Sequence, residues 1–263
     1  MTLNRSSCTG RVLSVFVIIF GGNLCVFLDF NAIQYIKLPF ENQWLIGSNF
    51  MNSHRYMVLY NSETFLHNRL SKLYAISNPL TLPSLPPREK ENAILYVGRL
   101  EETQKRVSRV VEVWKKLSVR FPNWRLDIVG DGPDRASYEE QAKGIDRIAF
   151  HGFRNPSVFY AKSKILLLTS DFEGFPLVLA EALAAKCVPL ALGTYPSVHD
   201  IINGANGIVA MPPFEAERFS ETLADMLNHP DMVASMADVG SRIGKLFSVG
   251  NIVDQWESLL KGL

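Results

Sequence analysis

Glu173 and Glu181 bracket the segment Glu-Gly-Phe-Pro-Leu-Val-Leu-Ala-Glu, which carries no other charge. Ahead of them, Ile165 to Leu168 is an apolar run of strand length, and Ser170 to Gly174 is rich in turn formers. Pro176 then opens a run of Leu and Ala, so the segment reads as strand, loop, helix, with Pro176 expected at the first helical position, which has no use for an N–H. The start of such a helix leaves backbone N–H groups unpaired and adds the positive end of the helix dipole, which makes the loop around Gly174 a seat for an anion. Glycine there lets a ligand approach the backbone closely. Neither carboxylate can bind a phosphate, but each can accept hydrogen bonds from hydroxyls attached to one. Glu181 lies five residues past Pro176, about 7 to 8 Å along the axis at 1.5 Å per residue. A diphosphate on the helix end with a hydroxylated ring on each side, a nucleotide sugar, fits that layout.

Glu181 is also the one charged side chain among the apolar ones between Pro176 and Ala185. A helix apolar nearly all round is buried, and a lone buried carboxylate is costly unless something hydrogen-bonds to it. A position at the rim, or a pairing with an Arg elsewhere, would explain the same residue without a ligand.

Gly98-Arg99-Leu100 followed by Lys105 forms a second cluster. An Arg at a strand end and a Lys six residues on can both reach a diphosphate, the Arg as a planar fork and the Lys as a point charge. The adjacent Arg106 leaves the register open, and a solvated turn with Glu101 and Glu102 pairing locally is the alternative. Gly130-Asp-Gly-Pro133 is no dinucleotide fingerprint: Arg135 stands where the last glycine should be, and Pro133 removes an N–H. The segment reads as a turn near a nucleotide base.

These residues resemble glycosyltransferase family 4, the group 1 type of retaining GT-B glycosyltransferases. The resemblance rests on the Glu173 to Glu181 spacing with Gly-Phe-Pro after the first Glu, on Gly98-Arg99-Leu100 with Lys105, and on Ile76-Ser-Asn-Pro-Leu80, which is similar to the family's interdomain hinge. It covers about residues 56 to 260, and implies that Glu173 holds hydroxyls of the donor sugar and Glu181 the nucleotide ribose. Arg99 and Lys105, with Gly98 and the backbone of Gly174, Phe175, Pro176 and Leu177, would neutralise the leaving diphosphate. Catalytic roles thus fall on Glu173, Arg99 and Lys105. The resemblance further implies transfer with retention to a saccharide or lipid-linked saccharide in polysaccharide or glycoconjugate biosynthesis. The lack of an Asp-x-Asp motif fits a mechanism without metal or cofactor. The family carries a Glu near Val198 to Asp200, where Asp200 or His199 would stand in. A sugar-nucleotide 2-epimerase on the same fold is the weaker alternative, because no carboxylate and histidine set is spaced for proton abstraction. A nucleotide-sugar-binding fragment without turnover is the other, because a complete member has a first domain larger than the residues available before the hinge.

The elements that must position these groups follow a strand, loop, helix rhythm. Strands are expected at Ala93 to Val97, Trp124 to Val129, Ile148 to Phe150 and Val188 to Leu192, with a helix over Val107 to Leu117 and a terminal helix over Ser248 to Leu260. The fold class is therefore α/β and GT-B-like: one complete Rossmann-like parallel-sheet domain, the donor half, preceded by an incomplete N-terminal α/β part. The expected divisions are 1–87 with the hinge, 88–246 for nucleotide-sugar binding, and 247–263 for a helix returning towards the first part. Earlier, strands are expected at Tyr56 to Tyr60 and Leu73 to Ile76 and a helix over Asn61 to Leu70; His54 and His67 have no spaced Ser, Cys or Asp partner. Val12 to Leu28 is uncharged behind Arg5 and Arg11, which suits either two strands joined at Gly21-Gly22 or a short membrane segment.

With 263 residues, 47% hydrophobic and 20% charged, the chain has globular composition. A net charge of +1 without a basic run gives no case for nucleic acid. Cys8, Cys25 and Cys187 are scattered, with neither metal-site nor disulfide spacing, so a reducing, cytoplasmic setting is expected, with peripheral association at the inner face of the membrane open to it.

Overall fold

The computed structural model describes residues 88–258 with their side chains, Ser77, Pro79 and Leu80, several strands before them, and the backbone of the last helix to Lys261. The chain divides into two compact units, Met1–Asn78 and Pro79–Leu263. Within the first, β1 (Val15–Phe20) and β2 (Asn23–Leu28) pair antiparallel with Ile18 opposite Cys25, so the described residues of the uncharged stretch are paired strands. The short strands β3 (Met57–Val58) and β4 (Leu73–Tyr74) also pair antiparallel. The helix expected over Asn61 to Leu70, and His54 and His67, lie outside the described residues. No helix among the described residues is long and apolar enough to cross a membrane.

The second unit is built on a six-stranded parallel sheet. Its strands are β5 (Glu91–Val97), β6 (Arg125–Val129), β7 (Ile148–Phe150), β8 (Ser163–Leu168), β9 (Val188–Leu192) and β10 (Ile208–Ala210), in the order β10-β9-β8-β5-β6-β7. β5, β8 and β9 are continuous apolar runs rather than alternating ones because helices cover both faces of the sheet. On one face, Ile94, Tyr96, Leu126, Ile128, Ile165 and Leu190 pack with Val110, Val111 and Trp114 of α1 (Val107–Leu117) in a single core. Trp114 is fully buried and its indole N–H donates to the Asp146 carbonyl at 3.0 Å, so the largest side chain of this core leaves no polar atom unpaired.

Short helices join the remaining strands: α2 (Arg135–Gln141) after β6, α3 (Ser157–Lys162) before β8, and α4 (Leu177–Ala184) before β9. A 3-10 turn, Pro196–Asp200, follows β9; α5 (Ala216–Asn228) and α6 (Pro230–Gly240) follow β10, and α7 (Ile243–Leu246) and α8 (Val249–Lys261) close the chain. The Leu80 N–H donates to the Phe247 carbonyl at 2.7 Å, which fastens the entry of the unit to its last turns.

The strand order reverses direction between β5 and β8. Chain leaving β5 runs towards β6, and chain leaving β8 runs towards β9, which puts the sheet's switch point, the place where such folds hold a crevice, beyond the carboxyl ends of these two strands. Gly130 sits at φ 143°, and a Cβ there would overlap the Gly98 carbonyl. Gly132 meets Leu100 in the same way. These two glycines let the loop after β6 lie directly on the loop after β5, which is the structural use of the Gly-Asp-Gly-Pro segment.

Candidate active site

The crevice between β5 and β8 joins two of the residues that the sequence singles out. Lys105 Nζ lies 2.7 and 2.9 Å from the Glu173 carboxylate oxygens. Glu173 has only 10% of its side chain exposed, and Ser170 Oγ donates to it at 2.7 Å. Ser170 is held in turn, since its carbonyl accepts from Thr194 Oγ1 at 2.7 Å. Backbone contacts stitch the same loops together: the Asp171 N–H donates to the Gln104 carbonyl at 2.8 Å, and Gln104 Nε2 donates to the Phe172 carbonyl at 3.0 Å. Arg106, the neighbouring cation, pairs with a different carboxylate and places its Nε 2.6 Å from Asp171.

Glu173 acts on two buried phenols. Burial raises the Tyr96 hydroxyl well above its usual range, with the Glu173 charge adding to the shift, and Tyr195 is raised for the same two reasons. Tyr96 keeps its proton and donates it to the Arg99 carbonyl at 3.1 Å, fixing the backbone at the end of β5. Gly98 is shaped by that contact, because a Cβ there would come 2.8 Å from the Tyr96 oxygen. The Arg99 side chain is exposed at the rim and has no hydrogen bond or ion pair among the described residues.

Glu181 stands on α4 in a separate network. Tyr160, at the end of α3, donates its hydroxyl to Glu181 Oε2 at 2.9 Å. Burial pushes the Glu181 carboxyl above the usual range, and the Tyr160 hydrogen bond offsets part of that. The helix start differs from the expected one in a way that bears on the anion seat. Pro176 precedes the helix rather than opening it, and the Leu177 N–H donates to the Phe175 carbonyl at 2.9 Å. Pro176 has no N–H and that of Leu177 is engaged, so neither of these two positions offers an amide to an anion. Gly174 is half-buried, and the Phe175 ring is buried against Phe247, with centroids 5.4 Å apart.

Sequence reasoning missed Asp171. Its carboxylate takes Arg106 on one oxygen and Arg109 on the other, each at 2.6 Å. Against the upward push of burial, hydrogen bonds from these two Arg residues hold the Asp171 carboxyl below its usual range. No signal in the sequence marked it, since an Asp in a turn-rich loop has an ordinary place there. His199 and Asp200 are exposed in the 3-10 turn. His199 lines a cavity of 510 Å³ with Ile202, Asn203 and Gly207, which shares no residue with the Lys105 and Glu173 cluster. Among the described residues no group of His, Cys, Asp and Glu is arranged to hold a metal ion.

Residues 79–242 match the family model of the glycosyl transferases group 1. An uncharacterised glycosyltransferase of Haemophilus influenzae is 27% identical over 198 residues, covering 73% of this chain and 56% of the relative. The lipopolysaccharide 1,6-galactosyltransferase of Salmonella typhimurium is 32% identical over 151 residues, covering 52% of this chain and 41% of its own length. Among solved structures, the pneumococcal O-GlcNAc transferase GtfA in complex with UDP and GlcNAc superposes with a TM-score of 0.65 at 19% identity, covering 76% of this chain and 42% of that one. The chain thus spans about half the length of these relatives.

Proposed function

Because the chain belongs to the group 1 glycosyl transferases, we propose that its second unit binds a nucleoside-diphosphate sugar in the crevice between β5 and β8 and serves as the donor half of a glycosyl transfer. The observation that carries this reading is the meeting of Lys105 and Glu173 at 2.7 Å beyond the carboxyl ends of those strands. Lys105 supplies positive charge for the diphosphate, and Glu173 accepts hydrogen bonds from hydroxyls of the sugar attached to it. Arg99, exposed at the rim of the same loop, adds a planar fork to the phosphates. Glu181, with one oxygen taken by Tyr160, offers the other to the ribose.

In the transfer itself the bond between the anomeric carbon and the diphosphate oxygen breaks, and that oxygen keeps the electron pair. Arg99, Lys105 and the backbone at Gly174 neutralise the charge that develops, while the acceptor hydroxyl adds to the anomeric carbon and passes its proton to the departing phosphate oxygen. Retention of configuration and independence of a divalent cation belong to this proposal, as does a saccharide or lipid-linked saccharide acceptor. Saturation-transfer NMR against UDP-, GDP- and ADP-sugars tests the core of it. Contact to the nucleotide and the sugar together supports the reading, and no contact with any donor removes it. For the donor that binds, EDTA leaves the transfer rate unchanged and the product keeps the donor's anomeric configuration.

A further inference from the structure

Lys105 is followed by a residue under backbone strain. Arg106 precedes α1 at φ 51° and ψ 48°, in the left-handed region that side chains other than glycine enter only when their surroundings hold them there. What holds it comes from across the crevice. Asp171 accepts from Arg106 Nε at 2.6 Å, and Thr169 Oγ1 donates to the Arg106 carbonyl at 3.1 Å. The Asp171 carboxylate is braced by Arg109 at 2.6 Å, and its own N–H holds the Gln104 carbonyl at 2.8 Å. Residues 104–106 are therefore gripped by residues 169–171 on either side of Lys105.

We propose that Asp171 is a positioning residue for the diphosphate site: by clamping Arg106 in the left-handed turn it aims Lys105 into the crevice. The inference rests on the reading of Lys105 as the cation of that site. Charge alone predicts the opposite behaviour. A carboxylate beside an anion site repels the anion, so if Asp171 acted only through its charge, removing it would tighten diphosphate binding. If it acts through the turn, removing it lets Arg106 relax, Lys105 swings away, and binding weakens. Glycine adopts the left-handed region freely, so Arg106→Gly keeps the turn without any clamp.

Calorimetric titration of the full chain with UDP and, separately, with GDP tests this, using wild type, Lys105→Ala, Asp171→Ala and the double variant Asp171→Ala/Arg106→Gly, with a thermal melt of each. Asp171→Ala is expected to weaken binding about tenfold, the scale of one strained residue released, and the double variant to recover to within about threefold of wild type. Unchanged or tighter binding in Asp171→Ala overturns the proposal, and so does a loss that Arg106→Gly fails to restore. Should Asp171→Ala not fold, Asp171→Asn takes its place: a smaller loss supports the clamp, and a gain overturns it. If wild type binds neither nucleotide, or Lys105→Ala binds as wild type does, the reading of Lys105 fails and this inference goes with it; intact Lys105 dependence with an indifferent Asp171 overturns the clamp alone.

Discussion

In the proposed donor site Glu181 would serve binding at the expense of stability. Its carboxylate is largely buried on an apolar helix, with the Tyr160 hydroxyl 2.9 Å away. Glu181→Ala and Arg99→Ala are each expected to weaken nucleotide-sugar binding by about 1 to 3 kcal/mol, the scale of a lost charged hydrogen bond, as read by titration. Stability should move the other way. Burial raises the Glu181 pKa in the folded chain above the ordinary 4.5, so its contribution to stability is fully present below 4.5 and is lost as pH rises through the raised value. At pH 7 the ionised group is a liability. Glu181→Gln, which can still accept from Tyr160, is expected to melt at a higher temperature than wild type at neutral pH. That advantage shrinks as pH falls towards 4.5, and a series of thermal melts in buffers across this range checks it. The sequence required some partner for a lone buried carboxylate but could not say which. Tyr160 lies in a separate short helix, and only the packing of α3 against the sheet brings it near.

At the scale of elements, the sheet was legible because its central strands are buried on both faces and are therefore written as unbroken apolar runs. β9 and β7 fall where they were expected; β5 begins earlier, at Glu91, because its first residues are only half-buried and polar. β10 was not foreseen: three residues carry too little periodicity to distinguish an edge strand from a loop. The loops were less legible than the strands, since their form depends on contacts between distant segments. Gly130 is the clearest case. Gly130→Ala would drive a methyl group into the Gly98 carbonyl from an unfavourable φ, and is expected to cost about 3 kcal/mol or more, measured by urea unfolding. Lys90 is another long-range device. Its ammonium donates to the carbonyls of Tyr160, Ser163 and Ala185 at 2.7 to 2.9 Å, tying the end of α3, the start of β8 and the end of α4 to the chain entering β5. Lys90→Ala leaves these acceptors unpaired, and a loss of about 2 to 4 kcal/mol in the same measurement is expected.

For the whole molecule, every residue assigned to the candidate site lies in the unit Pro79–Leu263. That unit contains the sheet, the core around Trp114 and the return of Phe247 to Leu80. Residues 79–263 produced alone are therefore expected to melt cooperatively and to bind the same nucleotide sugar within about threefold of the full chain's affinity, a difference below 1 kcal/mol. A noncooperative melt, or loss of binding, would place part of the site's support in the first unit. The pairing of Lys105 with Glu173 has a further consequence for what the crevice admits. Lys105 and Glu173 hold one another at 2.7 Å, so in the proposed site a lone phosphate would gain only one of the pair and strand its companion, as would a free monosaccharide. An intact donor offers the ammonium an anion and the carboxylate a hydroxyl in the same encounter. In the proposed site an intact donor would therefore be held more tightly than its nucleoside diphosphate alone, which satisfies the ammonium but leaves the carboxylate without a partner.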